Sequence, residues 1–88
     1  MKLSVTLDHI RAAKPYPYSS PVALALKESG IVDPSVTVNF IYIGADVYNL
    51  PPIAVENEDE FYRLVKSGKS IEDLKAYEFE LGAKINVA

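Results

Sequence analysis

The segment Ser20-Pro21-Val22-Ala23-Leu24-Ala25-Leu26 constrains the fold of this chain most. Ser20 is a helix-capping residue type, and Pro21 suits the first helical position, where its missing N–H costs nothing. The five residues that follow are apolar nearly all round, so the helix they form belongs mostly in the interior. Gly30 fits the left-handed position that closes such a helix. A chain of 88 residues is one domain with one modest core.

The remaining elements follow from periodicity and punctuation. Met1, Leu3, Val5 and Leu7 alternate with polar residues, the pattern of a half-buried strand. The stretch LDHIRAAK reads as a short helix with Thr6 or Asp8 as N-cap, ended by Pro15 and Pro17, which keep Tyr16 extended. After a turn at Asp33-Pro34, SVTVNFIYI reads as one strand. It would carry Val36, Val38, Phe40 and Tyr42 on one face and Thr37, Asn39, Ile41 and Ile43 on the other. Gly44-Ala45 suits a tight hairpin turn into DVYNL, and Pro51-Pro52 stops that strand. Asn57 and Glu60 have capping-box spacing for a helix carrying Phe61, Leu64 and Val65 inward and ending at Gly68. Tyr77, Phe79, Leu81, Ala83, Ile85 and Val87 alternate with Glu78, Glu80, Gly82, Lys84 and Asn86, a strand with one wet face and a bend or bulge at Gly82. The order β-α-α-β-β-α-β predicts a single α+β domain over residues 1–88. Its small, mainly antiparallel sheet has four strands, with helices on one face.

Charge and composition exclude several roles. A net charge of −3 and a pI near 5.0 are a poor footprint for duplex nucleic acid. The absence of cysteine rules out disulfides and thiolate metal sites. The N-terminal alternation is unlike the continuous apolar core of a signal peptide, and no stretch approaches the length of a membrane span. The expected compartment is the cytoplasm, with no membrane partner. Because 49% of the residues are hydrophobic, some must lie on the surface, and this favours a homo-oligomer, a dimer by base rate.

The residue types for catalysis are present without their patterns. His9 is the lone histidine and has no cysteine or second histidine with which to hold a metal. Ser19 or Ser20 with His9 and Asp8 or Asp33 supplies the letters of a triad, but no Gly-x-Ser-x-Gly elbow accompanies them. Glu56, Glu58, Asp59 and Glu60 do not match a calcium loop, and a position at a helix start explains them as solvated charges. Glu78 and Glu80 lie two apart on a strand without a proton donor nearby, which leaves a hydrolase as the weakest reading. No phosphate-binding glycine loop is present. The chain reads as a non-enzyme without cofactor or metal.

The strongest lead lies before the apolar helix, in KPYPYSSPV. Free N–H groups at a helix N-terminus and the hydroxyls of Ser19 and Ser20 attract anions. Arg11 and Lys14 bring positive charge, and the rings of Tyr16 and Tyr18 offer stacking faces for bases. Arg11, Lys14, Tyr16, Tyr18, Ser19 and Ser20 therefore form a candidate ligand-binding site for a small anion such as a nucleotide. The plainer reading is that Ser20 caps its own helix and the tyrosines pack inward or against a second subunit. A different class of function is protein–protein inhibition, through a sheet edge or the apolar face of Ile41 and Ile43.

PVALALK, then a β segment, then LP, a Phe-containing acidic helix ending in Gly and finally YEFEL resembles a group of short uncharacterised phage and bacterial proteins. Many of those carry a Cys before the Pro-Val-Ala-Leu-Ala-Leu run and end in a Phe-Glu-Phe-Glu-Leu-like strand. Here Ser20 stands where Cys is common, so a thiol role does not carry over, and GAKINVA extends past the usual end. The resemblance spans most of the chain. It implies a phage accessory setting in a host cytoplasm. There the chain would act in anti-defence, by sequestering a nucleotide immune signal or blocking a host defence protein.

Overall fold

The computed structural model describes residues 1–85. Asn86 and Val87, which were to continue the C-terminal alternation, lie outside the described residues. The elements are β1 (Lys2–Val5), α1 (Leu7–Ala12), α2 (Pro21–Glu28), β2 (Ser35–Val36), β3 (Phe40–Ile43), β4 (Asp46–Asn49), α3 (Pro52–Lys66) and β5 (Tyr77–Glu80). The fold is α+β, with all strand pairs antiparallel.

The apolar helix is the centre of the molecule. Ser20 caps α2 by accepting the Ala23 N–H at 3.2 Å, and Pro21 opens it. Val22, Ala23 and Leu26 are fully enclosed. α2 touches α1, α3, β1 and β2. Fully buried side chains such as Leu26, Ile41 and Phe61 each stabilise the fold by roughly 1.5–3 kcal/mol through apolar surface removed from water. Gly30, with φ +100°, closes the helix in a conformation that favours glycine.

The strands form two sheets where one of four strands was expected. β1 pairs with β5, and β2, β3 and β4 form a three-stranded meander. The extra strand arises because SVTVNFIYI folds back on itself. The Thr37 N–H donates to the Phe40 carbonyl at 2.9 Å, which reverses the chain at Val38-Asn39. Val36 then lies opposite Ile41, and both are buried. The expected division of faces fails for this reason: a reversal resets the alternation, so Val36 and Ile41 share the core side while Val38 stands exposed. The Gly44-Ala45 turn is as expected, with Gly44 at φ +59° joining β3 to β4.

The C-terminal strand is shorter than its alternation predicts. β5 ends at Glu80, and Leu81 adds one more bond, its N–H to the Met1 carbonyl at 2.8 Å. Beyond Gly82 the chain leaves β1. The Ile85 N–H donates to the Val47 carbonyl at 2.7 Å, and Lys84 pairs with Asp46 at 3.5 Å. The tail thus ties the two sheets together, and Ala83 and Ile85 are exposed.

His9 is a buried capping residue. Its Nδ1 accepts the Thr6 N–H at 2.9 Å, while its own N–H donates to Thr6 Oγ1 at 3.3 Å. With Nδ1 an acceptor, the ring proton sits on Nε2 and is donated to the Glu28 carboxylate, which joins α1 to α2. Replacing His9 with Ala removes the reciprocal cap and that joint. The expected loss is about 1–2 kcal/mol in urea unfolding. His9→Gln, which keeps an acceptor at this position, should recover part of it. Equal stability of wild type and His9→Ala would contradict this role.

Candidate functional site

The site is set by where α3 begins. Pro51-Pro52 opens the helix instead of merely ending a strand, with Pro51 as N-cap and Pro52 at the first helical position. The capping box expected at Asn57 and Glu60 is not used. Asn57 lies inside the helix, its amide donating to the Ile53 carbonyl at 2.7 Å, and Glu60 pairs with Arg63. Starting the helix six residues earlier turns the acidic run into mid-helix positions. Ala54, Glu58 and Phe61 then share the buried stripe, and Val55, Asp59, Tyr62 and Lys66 form the neighbouring one.

That second stripe is one wall of a pocket of about 600 Å³. The opposite wall is the loop before α2. Its Pro17 carbonyl accepts the Val36 N–H at 2.9 Å, which holds Pro15 and Pro17 against β2. Val36, Thr37 and Val38 complete the lining. The loop is closed internally by the Lys14 N–H to the Ser19 carbonyl at 2.8 Å, and Lys27 Nζ donates to the Tyr18 carbonyl at 2.6 Å. Most of the surface inside is apolar. The charged groups are Glu56, Glu58, Asp59 and Lys66, with the Lys66 ammonium 5.8 Å from the centre of the Tyr62 ring.

Glu58 stands out within this set. It is 5% exposed, and neither carboxyl oxygen has a hydrogen-bond partner. Burial raises its pKa from 4.5 to about 7. The Ser20 hydroxyl and the Val22 N–H, at the N-terminus of α2, pull the other way. They lie close enough to favour the carboxylate without meeting hydrogen-bond geometry, so desolvation dominates. The Tyr77 hydroxyl is likewise buried without a partner, and its pKa is held far above the usual range by burial and then by the charge of Glu58. Tyr62 is raised by the same two causes in the same order.

The structure divides the six candidate residues of the sequence. Ser20 is fully buried and its hydroxyl caps α2, so it faces no solvent. Ser19 is half-buried in the loop. Tyr16 and Tyr18 are 60% and 58% exposed, and Lys14 is exposed beside them. Arg11, exposed on α1, lies 3.9 Å from Asp8. None of the six lines the pocket, whose loop wall is made by the prolines between them. Local signals assign the acidic run to a solvated helix start, and that assignment hides Glu58, Tyr62 and Lys66. The signal available was the Ala54, Glu58, Phe61 spacing, which places a carboxyl between two apolar residues on one face.

The other candidates have structural uses. Glu78 pairs with Lys2 at 2.9 Å, and Glu80 meets the N-terminal ammonium at 3.4 Å. Lys2 is raised by its hydrogen bond to Glu78. Ile41, offered as part of a partner-binding face, is fully buried. Among the described residues no group of three or more potential metal ligands comes together, and no helix is long and apolar enough to cross a membrane. Comparison with family models, curated proteins and solved structures found no match.

Glu58 gives stability a pH dependence of known sign. Its folded pKa lies above its unfolded one, so the native state binds the proton more tightly. Stability from this group is present below the unfolded value and is lost as pH rises from 4.5 to about 7. The loss amounts to about 3 kcal/mol. Glu58→Gln should remove that slope and be more stable than wild type at pH 8, measured by urea midpoints from pH 4.5 to 8. A difference between the two proteins that does not change with pH would show that Glu58 titrates normally.

Proposed function

We propose that this chain is a non-enzymatic binding protein that captures a small ligand between the loop before α2 and the helix α3. The observation that carries this reading is the pocket: about 600 Å³ with a mostly apolar lining and a few charged groups on one wall. Small-molecule sites fall at roughly 300–1,000 Å³ and have this composition. Among the described residues the side chains that could serve as base or nucleophile have structural uses, which supports binding. His9 is engaged with Thr6 and Glu28, and Ser20 with its helix.

A second reading keeps the anion expected from the sequence, such as a nucleotide signal withheld from a host defence system. Its support is the outer side of the same loop. Two largely exposed tyrosine rings stand there with Lys14, and Lys27 is bonded to the Tyr18 carbonyl. Here the base would stack on a ring and the phosphate would meet lysines. A homo-oligomer and a host-protein partner belong to the same phage-type reading. The exposed Val32, Val38 and Ile53 side chains are consistent with such contacts.

Amide and methyl NMR titrations distinguish the readings. Neutral aromatic fragments, mono-, di- and cyclic nucleotides and ADP-ribose form the panel. Shifts centred on Val36, Val38, Val55 and Tyr62 support the pocket. Shifts at Tyr16 and Tyr18 that vanish in the Arg11→Ala/Tyr18→Ala double variant, with its melting temperature unchanged, support the anionic loop. A spectrum that no member of the panel moves overturns both and turns the search to protein partners.

A further inference from the structure

We propose that the pocket between the Pro15–Pro17 loop and α3 is built for a small organic cation, an ammonium group carried on an apolar body. This rests on the reading of that pocket as the ligand seat. Glu56, Glu58 and Asp59 line one side, with the Glu58 carboxyl buried behind the surface, and the prolines and valines line the other. An ammonium suits the first side and a hydrocarbon body the second.

Glu58 is the observation that separates this from an ordinary acidic surface. It is 5% exposed without a hydrogen bond, and the positive end of α2 beside it offsets only part of the cost of burying a carboxylate, so a further positive charge nearby is favourable. Its oxygens are covered by the wall, so Glu58 attracts a cation across a layer of low dielectric, where charges act strongly. Glu56 is exposed on the same helix and is free for direct contact, whereas Asp59 is also bonded by Arg63 at 3.2 Å. The Tyr62 ring, its centre 5.8 Å from the Lys66 ammonium, offers a face that a ligand cation would share in competition with Lys66.

Other ligand charges fit less well. An anion in the pocket would face Glu56 and Asp59, with buried Glu58 behind them and a single lysine to offset them. The N-terminus of α2, the nearest anion-attracting feature, is already occupied by Ser20 and Glu58. A bare metal ion needs several converging oxygen ligands, and proline and valine walls supply none.

Binding should also respond to pH. The groups facing Glu58 are Ser20 and the Val22 N–H from α2, Tyr62 from its own helix and Tyr77 from β5. A cation in the pocket favours the carboxylate, so the affinity for an amine that stays charged should rise between pH 6 and pH 8.

The test uses the full chain and three probes of one shape: 2-phenylethylammonium, 2-phenylethanol and 3-phenylpropionate. Titrations are followed on the Val38, Val55 and Tyr62 resonances. The ammonium is expected to bind at least about tenfold more tightly than the alcohol, and the carboxylate most weakly. Glu56→Gln/Asp59→Asn, two exposed changes, should weaken the ammonium about fivefold or more with an unchanged melting temperature, and Lys66→Gln should tighten it. If the alcohol or the carboxylate binds as tightly as the ammonium, the cation inference is overturned while the pocket remains a ligand seat. If none of the three moves the pocket resonances at millimolar concentration, both readings fail together.

Discussion

The N-terminus of α2 is buried, and much of this molecule is arranged around satisfying it. A helix leaves its first N–H groups without intrahelical partners, and in an interior they must find others. Ser20 takes the Ala23 N–H, and the Glu58 carboxyl comes in beside Ser20 and Val22 from α3. The positive end of the helix favours a carboxylate there, but removal from water opposes it more strongly. The result is an acid poised near neutrality at the junction of α2 and α3, with Tyr77 of β5 in its field.

The pocket follows from the same junction. α3 presents one stripe to the core and the next to the loop that leads into α2. That loop has to turn sharply to deliver Ser20 as a cap, and it does so through its own backbone bonds and a bond to β2. Pro15 and Pro17 cannot donate hydrogen bonds, so they offer rings alone to the space in front of α3. A dry wall therefore faces an acidic one. Tyr16 and Tyr18, alternating with the prolines, are turned outward and remain largely exposed.

Two devices hold the rest in place. His9 reads Thr6 with one ring nitrogen and Glu28 with the other, and this fixes α1 against α2. After β5 the tail crosses to β4 through Ile85 and Lys84, joining sheets that share no strand. The acids of β5 and the arginine of α3 are taken up by local pairs on exposed surfaces, where ion pairs contribute little.

The sequence by itself determined the features that depend on neighbours a few residues apart. Ser20, Pro21 and Gly30 wrote the bounds of α2, and Gly44 wrote the β3–β4 turn, because capping and tight turns are contacts over two to four residues. The α+β class followed from the alternation of the strand and helix periods. Tertiary structure decided the rest. The reversal at Val38-Asn39 carries no glycine or proline, and a run of β-branched residues fits one strand as well as two. α3 could begin at Pro52 or at Asn57 by local signals, and packing of Ala54 beneath the core chose the earlier start. That choice rotated Glu58 inward and set Tyr62 and Lys66 around a pocket. Burial and field at one side chain are sums over residues distant in the chain, so only the folded arrangement could assign them.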